Sequence, residues 1–333
     1  MLRIKIETLV IFLLLSVFTV AGHAGVYKCK NAAGNTTFQD RPCLKKPGSI
    51  DSDANRNGLA ANDSDKHFLW KALSGDNTIY LLGSVHVGSS EMYPLAPVIT
   101  NAFETTDTLV VEVDISEMQL TDATTNLLQT SQYTDGTTLQ DHISADTWKL
   151  LAKTLKRRNM DIEALKLQKP WVITLMLMGL SIQESGFSPK LGVDHYFITG
   201  ARGKKNIVEL ESADFQINLL RSFSELDQDK LLAQSLKDFD QGPQIFRNML
   251  SAWQTGDTEK LHQLTTQGVD SDPSYKKIYD ELFTKRNHSM TQKIDQLVQT
   301  GGNFFVIVGS GHMTGPEGIV ELLKTKGYEV TQL

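Results

Sequence analysis

The feature that most constrains the fold of this 333-residue sequence is a pattern that occurs twice, near its two ends. Each copy begins with an apolar run, at 78–82 and at 304–308, and a Gly-Ser-x-His loop follows. A helical stretch and a second β-prone run complete each copy, at about 95–113 and 316–331. Uninterrupted apolar strands are typical of a sheet covered by helices on both faces, and strand–helix–strand units favour parallel strands. The sequence therefore predicts an α/β domain with a mostly parallel sheet, over 67–333.

The chain between the two copies predicts a large helical insertion. Residues 145–158 are amphipathic, and the apolar stretch 171–180 follows a proline that suits a first helical turn. A further strand is predicted at 206–210, followed by helices up to about 299. The two repeat copies are thus expected to meet in one sheet although they are far apart in sequence.

The two loop histidines, His86 and His312, are the first candidates for chemistry. Ligands of open α/β sheets gather at the carboxyl ends of the strands, where both loops lie. Imidazole is both a common metal ligand and a proton carrier near neutral pH. The alternative is that each histidine is only a hydrogen-bonded loop residue. The loop residues beside them are further pocket candidates: Gly83, Ser84, Gly309 and Ser310.

Carboxylates at strand ends are the second group of candidates. Glu112 lies within an otherwise apolar run and is costly to bury unless it is paired or bound to metal. By strand alternation, the side chain of Asp114 faces the same side of the sheet as that of Glu112. The alternative is that Asp114 begins the next loop as a solvated cap. Glu211 ends the run 207–211 and is favoured over Glu209 as a site residue.

Three polar residues elsewhere complete the candidates. Asp194 precedes a histidine and either acts in the pocket or caps a helix beginning at His195. Arg286 and Asn287 lie on a predicted helix. Arg286 would stabilise developing negative charge, or it forms a surface ion pair of little energy.

The N-terminus predicts export. Arg3 and Lys5 precede an apolar run at 9–20, and small residues lie before Gly25, which together indicate a signal peptide over 1–24. A membrane anchor is the alternative, but the run is short for a span, which needs roughly 20 residues. We expect an exported, periplasm-type protein with no span after cleavage.

A small module follows at 25–45. Two β-prone runs flank a Gly/Asn turn and predict a hairpin. Cys29 and Cys43, the two cysteines of the chain, predict one disulfide in an oxidising compartment, with a cysteine metal site as the alternative. Residues 46–66, rich in Ser, Asp, Asn and Gly, predict a flexible linker. The net charge of −6 and the lack of a basic cluster argue against nucleic acid as a partner.

Several blocks together resemble the TraB/PrgY/GumN family. They are the opening Phe68–His86, the run Leu109–Asp114, the blocks Gly192–Asp194 and Leu210–Ser212, the pair Arg286–Asn287, and the closing Val306–Gly315. Where family members often have Leu-Glu-Thr, this chain has Leu-Glu-Ser at 210–212, which keeps the carboxylate. The N-terminal hairpin is similar to the DUF4124 module of exported proteins.

This resemblance implies a pocket formed by both Gly-x-x-His loops and a strand glutamate, which Glu112 matches. Arg286 matches a recurrent arginine. Related Tiki proteins are described as metal-dependent proteases, and distant relatives include erythromycin esterases and haem-associated proteins. We therefore expect a peptidase-like hydrolase with a divalent ion (Mn, Co or Zn) held by His86, His312 and Glu112. Glu211 and Arg286 would assist catalysis on a peptide or protein substrate. A metal-free variant with His86 as general base, and a protein that binds a peptide, haem or metal without turnover, are the alternatives.

Overall fold

The computed structural model describes the backbone of residues 27–30 and 36–39, and residues 66–75, 77–114 and 130–333. Strands β1 (Tyr27–Lys30) and β2 (Thr36–Gln39) pair antiparallel, as the hairpin pattern predicts. The predicted signal peptide, residues 46–65 of the linker, and Cys43 lie outside the described residues. The disulfide between Cys29 and Cys43 therefore remains a prediction.

The main domain is built on a six-stranded sheet whose strand order is β6-β5-β7-β4-β3-β8. Its strands are β3 (Leu69–Ser74), β4 (Asn77–Ser84), β5 (Thr108–Val111), β6 (Asn206–Glu209), β7 (Phe304–Gly309) and β8 (Glu329–Gln332). The four strands from β6 to β4 are parallel, and β3 runs antiparallel to both of its neighbours. The prediction of a mostly parallel sheet is confirmed.

Both repeat copies form the predicted strand, loop, helix and strand. The first copy continues from β4 through helix α1 (Pro97–Glu104) to β5, and the second from β7 through helix α11 (Ile319–Thr325) to β8. The two strands of each copy are not neighbours, because β7 lies between β4 and β5, and β4 and β3 lie between β7 and β8. The central pair β4–β7 therefore joins the two copies and carries both histidine loops on one edge of the sheet.

The register of that central pair is offset by one residue relative to the motif. Ser84 lies beside Gly309, and Gly83 beside Val308, whereas the motif aligns Gly83 with Gly309. Successive strand residues face opposite sides of a sheet, so a shift of one residue moves each side chain to the other face. Within the strands, matching positions of the two motifs therefore point to opposite faces, whereas both histidines lie beyond the strand ends.

The remaining helices form the two stretches on either side of β6. They are α2 (Ala145–Lys156), α3 (Pro170–Ser185), α4 (Val193–Ala201), α5 (Ala213–Ser222), α6 (Glu225–Asp238), α7 (Gly242–Gln254), α8 (Thr258–Ser271), α9 (Lys276–Tyr279) and α10 (Lys285–Val298). One π-helical turn, Asp280–Thr284, joins α9 to α10. The helical insertion expected from the sequence is confirmed.

Helix α3 is apolar around most of its circumference because it lies between two apolar clusters. Its residues Trp171 and Leu175 pack in the main core beside the sheet. Residues Ile173 and Leu177 pack in a second cluster with helices α2 and α6. A helix buried on opposite sides needs apolar residues on both. In the part of the chain described, no helix combines the length and apolar character needed to cross a bilayer.

Candidate functional site

The His86 loop is held by the beginning of helix α4. The helix starts at Val193 with Gly192 as its N-cap, and a Cβ on Gly192 would overlap the carbonyl oxygen of His86. This close approach requires glycine and brings Asp194 to the imidazole, where its Oδ1 accepts a hydrogen bond from His86 Nδ1 at 3.0 Å. Asp194 therefore does not cap the helix, which was its alternative role. Because Nδ1 is engaged, Nε2 is the ring nitrogen left for other partners.

The His312 loop is held instead by helix α10. Asn287 donates from Nδ2 to the carbonyl oxygen of Glu317 at 2.7 Å, which orients its amide. Its Oδ1 then accepts a hydrogen bond from His312 Nδ1 at 2.6 Å. His312 is 2% exposed and His86 7% exposed, so both rings lie inside the domain edge rather than on its surface. Here too Nε2 is left for another partner.

The two imidazoles and a carboxylate converge on Gly309. A Cβ built on this glycine would lie 2.9 Å from His86 Nε2, 3.4 Å from Glu112 Oε2 and 3.6 Å from His312 Cδ2. His86 Nε2 and Glu112 Oε2 are 4.0 Å apart. Residues separated by more than two hundred positions therefore share one small space, which we call the imidazole cluster: His86, Glu112 and His312.

Behind this cluster, Arg286 joins two buried glutamates. Its Nη2 lies 2.6 Å from both Glu112 Oε1 and Glu211 Oε2, and its Nε donates to Glu211 Oε1 at 2.9 Å. Its Nη1 donates to the carbonyl oxygen of Leu282 at 3.0 Å. The second oxygen of Glu112 accepts from the backbone amide of Gly309 at 3.0 Å. All three guanidinium nitrogens are thus occupied, and the side chain is 2% exposed.

These contacts set the charges of the site. Burial alone would raise the pKa of Glu112, but Arg286, the two imidazoles and the Gly309 amide together hold it well below its usual range. Burial lowers the pKa of His86, yet Asp194, with a smaller contribution from Glu112, raises it to about 9. His312 has no carboxylate on Nδ1, so burial and Arg286 lower its pKa to about 3.

Four other predicted residues lie outside the hydrogen-bonded network. Asp114 accepts from Arg202 Nη2 at 2.6 Å, and its backbone amide donates to Glu209. Gly83 makes room for the second loop, since a Cβ there would lie 2.7 Å from Phe68 Cδ1 and 3.1 Å from the Cα of Ser310. The hydroxyls of Ser84 and Ser310 are buried and have no hydrogen-bond partner within the described residues.

Gln216 belongs to the site although the sequence analysis did not select it. Its Nε2 donates to Glu112 Oε1 at 2.9 Å and to Glu211 Oε2 at 3.1 Å. It is 1% exposed on helix α5 and adjoins the buried Ile217. The signal in the sequence is a glutamine on the apolar face of an amphipathic helix, because a buried amide needs hydrogen-bond partners.

The donors of the imidazole cluster fit a divalent ion in chemistry and in orientation. Both histidines have Nδ1 held by another side chain, the arrangement that aims Nε2 at a metal. Glu112 supplies an oxygen suited to Mn²⁺, Co²⁺ or Zn²⁺. Over residues 66–75, 77–114 and 130–333, however, no three His, Cys, Asp or Glu side chains form a ready metal-ligand group.

The chain is similar in sequence to several known proteins. Two uncharacterised proteins are similar over most of their length: YbaP of Escherichia coli strain K12, 24% identical over 78% of this chain and 94% of its own, and a Treponema pallidum protein, 20% identical over 78% and 81%. Metalloprotease TIKI2 of Xenopus tropicalis is 24% identical over 84% of this chain, which spans 62% of that protein. No solved structure matches the chain significantly.

Two family models match. Residues 13–61 match the domain of unknown function DUF4124. Residues 68–332 match the TraB/PrgY/gumN family, over the whole domain that carries the two histidine loops. The chain therefore belongs to the TraB/PrgY/gumN family.

Proposed function

We propose that this chain is an exported, metal-dependent hydrolase of peptide bonds. The observation that carries the proposal is the convergence of His86 Nε2, Glu112 Oε2 and the His312 ring around Gly309. The similarity to metalloprotease TIKI2 supports the choice of a peptide as substrate. The basic and apolar segment over 1–24 supports export.

His86, His312 and Glu112 would hold the ion. A bound divalent ion supplies a Lewis acid and a water of lowered pKa. Asp194 and Asn287 keep both imidazoles oriented through Nδ1. Metal ligands must be deprotonated, so the proton on His86 has to leave before the ion is bound.

Glu211 and Arg286 have supporting roles in this proposal. Arg286 was expected to stabilise an oxyanion, but its three nitrogens are engaged with Glu112, Glu211 and a backbone carbonyl. It therefore acts as a positioning residue that keeps Glu112 ionised. Glu112 Oε2, which faces the imidazoles, is the oxygen that would bind the ion.

The decisive experiment measures metal content and peptide cleavage together. The purified protein is stripped with a chelator, reloaded with Mn²⁺, Co²⁺ or Zn²⁺, and incubated with a mixture of peptides analysed by mass spectrometry. We expect His86→Ala and His312→Ala to lose both metal uptake and cleavage while remaining folded. His288→Ala is the matched control, because this exposed histidine is hydrogen-bonded to Glu317 at the surface. Unchanged metal content in both loop variants would refute the metal site.

A metal-free hydrolase is the second candidate, and the Asp194–His86 pair favours it. A carboxylate on Nδ1 orients a histidine whose Nε2 accepts a proton during catalysis. Full activity of the stripped protein would select this version. Retention of peptides without products would indicate instead a protein that sequesters its ligand.

A further inference from the structure

A second cavity, of about 430 Å³, has no lining residue in common with the imidazole cluster. We call it the Lys169 cavity. It lies where helix α3 begins, beside the C-terminal part of helix α5 and the first turn of helix α6. Among its lining residues are Tyr133, Lys169, Trp171, Asn218, Arg221 and Glu225.

The charges around this cavity favour an anion. Lys169 is half-buried and lies 5.7 Å from the Tyr133 ring, with no carboxylate partner in the part of the chain described. Arg221 donates to Asn218 Oδ1 at 2.9 Å and likewise has no described carboxylate partner. The acidic lining residue, Glu225, is exposed and accepts a hydrogen bond from His142 at 2.8 Å. Two cations therefore oppose one carboxylate that is already engaged.

Hydrogen-bond donors at the same place lack acceptors. Helix α3 has 16 residues, and no side chain caps its N-terminus, which is the positive end of the helix dipole. Trp171, in the first turn, is 3% exposed, and its indole Nε1 has no acceptor among the described residues. A buried indole N–H normally finds one. Trp171 also lines the cavity, and the unpaired cations beside it point to a ligand with acceptor oxygens.

We propose that the Lys169 cavity binds organic carboxylates. Its size is typical of a small-ligand site, and the rings of Tyr133 and Trp171 suit an apolar group beside the carboxylate. Inorganic phosphate has no apolar group to contact these rings, which favours an organic carboxylate.

The cavity is connected to the candidate active site by helix α5. Gln216 on this helix contacts both buried glutamates, and Arg221, about 7.5 Å further along the helix axis, lines the cavity. If the chain is the peptide hydrolase proposed above, the cavity would bind a carboxylate of the peptide substrate, at its C-terminus or on an acidic side chain.

The test compares two ligands that differ only in charge. N-acetyl-L-phenylalanine and its amide are titrated into the full protein by calorimetry, without any need for turnover. We expect the acid to bind and the amide to bind at least about tenfold more weakly, since a hydrogen bond to a charged group contributes about 1.5–3 kcal/mol. Lys169→Gln and Arg221→Gln should each lower the affinity for the acid by about tenfold. Trp171→Phe should lower it by a smaller factor. Lys260→Gln is the matched control, on the exposed face of helix α8.

The outcomes separate this inference from the hydrolase proposal. Equal affinities for acid and amide, or wild-type affinity in both cation variants, would overturn the carboxylate site. Inorganic phosphate binding more tightly than the acid would also overturn it. His312→Ala should bind the acid as well as wild type does. If His312→Ala binds the acid normally and the metal-loaded wild-type protein cleaves no peptide, the hydrolase proposal fails while the carboxylate site stands.

Discussion

The two Gly-x-x-His loops have the same sequence pattern and lie on the same edge of the sheet, yet their histidines differ in charge. His86 donates a hydrogen bond from Nδ1 to the carboxylate of Asp194, which raises the pKa of His86 to about 9. His312 bonds instead to the neutral amide of Asn287, and burial lowers its pKa to about 3. A sequence repeat thus determines where an imidazole lies, while the partner on Nδ1 determines whether it carries a proton.

The largest effect is expected when the charge that acts on both loops is removed. Arg286 lowers the pKa of His86 and of His312 and neutralises two buried glutamates. Arg286→Met leaves those carboxylates unpaired, so the free energy of unfolding should fall by about 3–5 kcal/mol in urea denaturation. Arg247→Met, an exposed arginine bonded to Gln244, should change it by less than about 0.5 kcal/mol. A small effect of Arg286→Met would mean that water already solvates the two glutamates.

The difference between the histidines should disappear when their partners are exchanged. In Asp194→Asn, burial is no longer opposed by a neighbouring carboxylate on Nδ1, so the pKa of His86 should fall below 6.5. In Asn287→Asp the pKa of His312 should rise. Both are measured by NMR titration of the imidazole protons in the metal-free protein. A His86 pKa that stays near 9 in Asp194→Asn would assign the effect to Glu112 instead.

The same exchange should change the pH dependence of stability. The folded pKa of His86 is raised, so its contribution is complete below pH 6.5 and is lost as the pH rises toward about 9. The folded pKa of His312 is lowered, so its contribution is present above pH 6.5 and is lost as the pH falls toward about 3. Asp194→Asn should remove the alkaline loss, which amounts to at most about 3.5 kcal/mol at about 1.4 kcal/mol per pKa unit.

Substituting the glycines of the two loops should have smaller effects on stability, and the effects should differ between the loops. Gly309→Ala places a Cβ 2.9 Å from His86 Nε2, whereas Gly83→Ala contacts Phe68 and Ser310. We expect both to lower stability by about 1–3 kcal/mol through overpacking. Of the two, Gly309→Ala alone should shift the NMR signals of His86 and abolish metal uptake. Gly179→Ala, whose Cβ meets nothing within 4 Å, is the control and should stabilise helix α3 slightly.

The sequence predicts the parts of this site that depend on local pattern. The apolar strands, the two loops and the isolated Glu112 are visible in it, because burial and strand ends leave a periodic signal. The one-residue offset between β4 and β7 is not visible, since strand register is decided by packing between segments far apart in the chain. The full engagement of Arg286 and the participation of Gln216 also depend on tertiary contacts. The offset explains why Gly83 and Gly309, identical in the motif, have different neighbours.

The smallest effect expected is also the sharpest test of that offset. Ser84 and Ser310 occupy the same motif position, and both hydroxyls are buried without a partner in the described residues. Removing such a hydroxyl deletes an unsatisfied group, so each Ala variant should keep the free energy of unfolding within about 1 kcal/mol of wild type or raise it. Register places Ser84 beside Gly309 on the face of the imidazole cluster, and Ser310 on the opposite face beside Gly83. Ser84→Ala should therefore shift the NMR signals of His86 and weaken Co²⁺ binding, while Ser310→Ala leaves both unchanged. Equal responses in the two variants would show that the faces are not distinguished as the register requires.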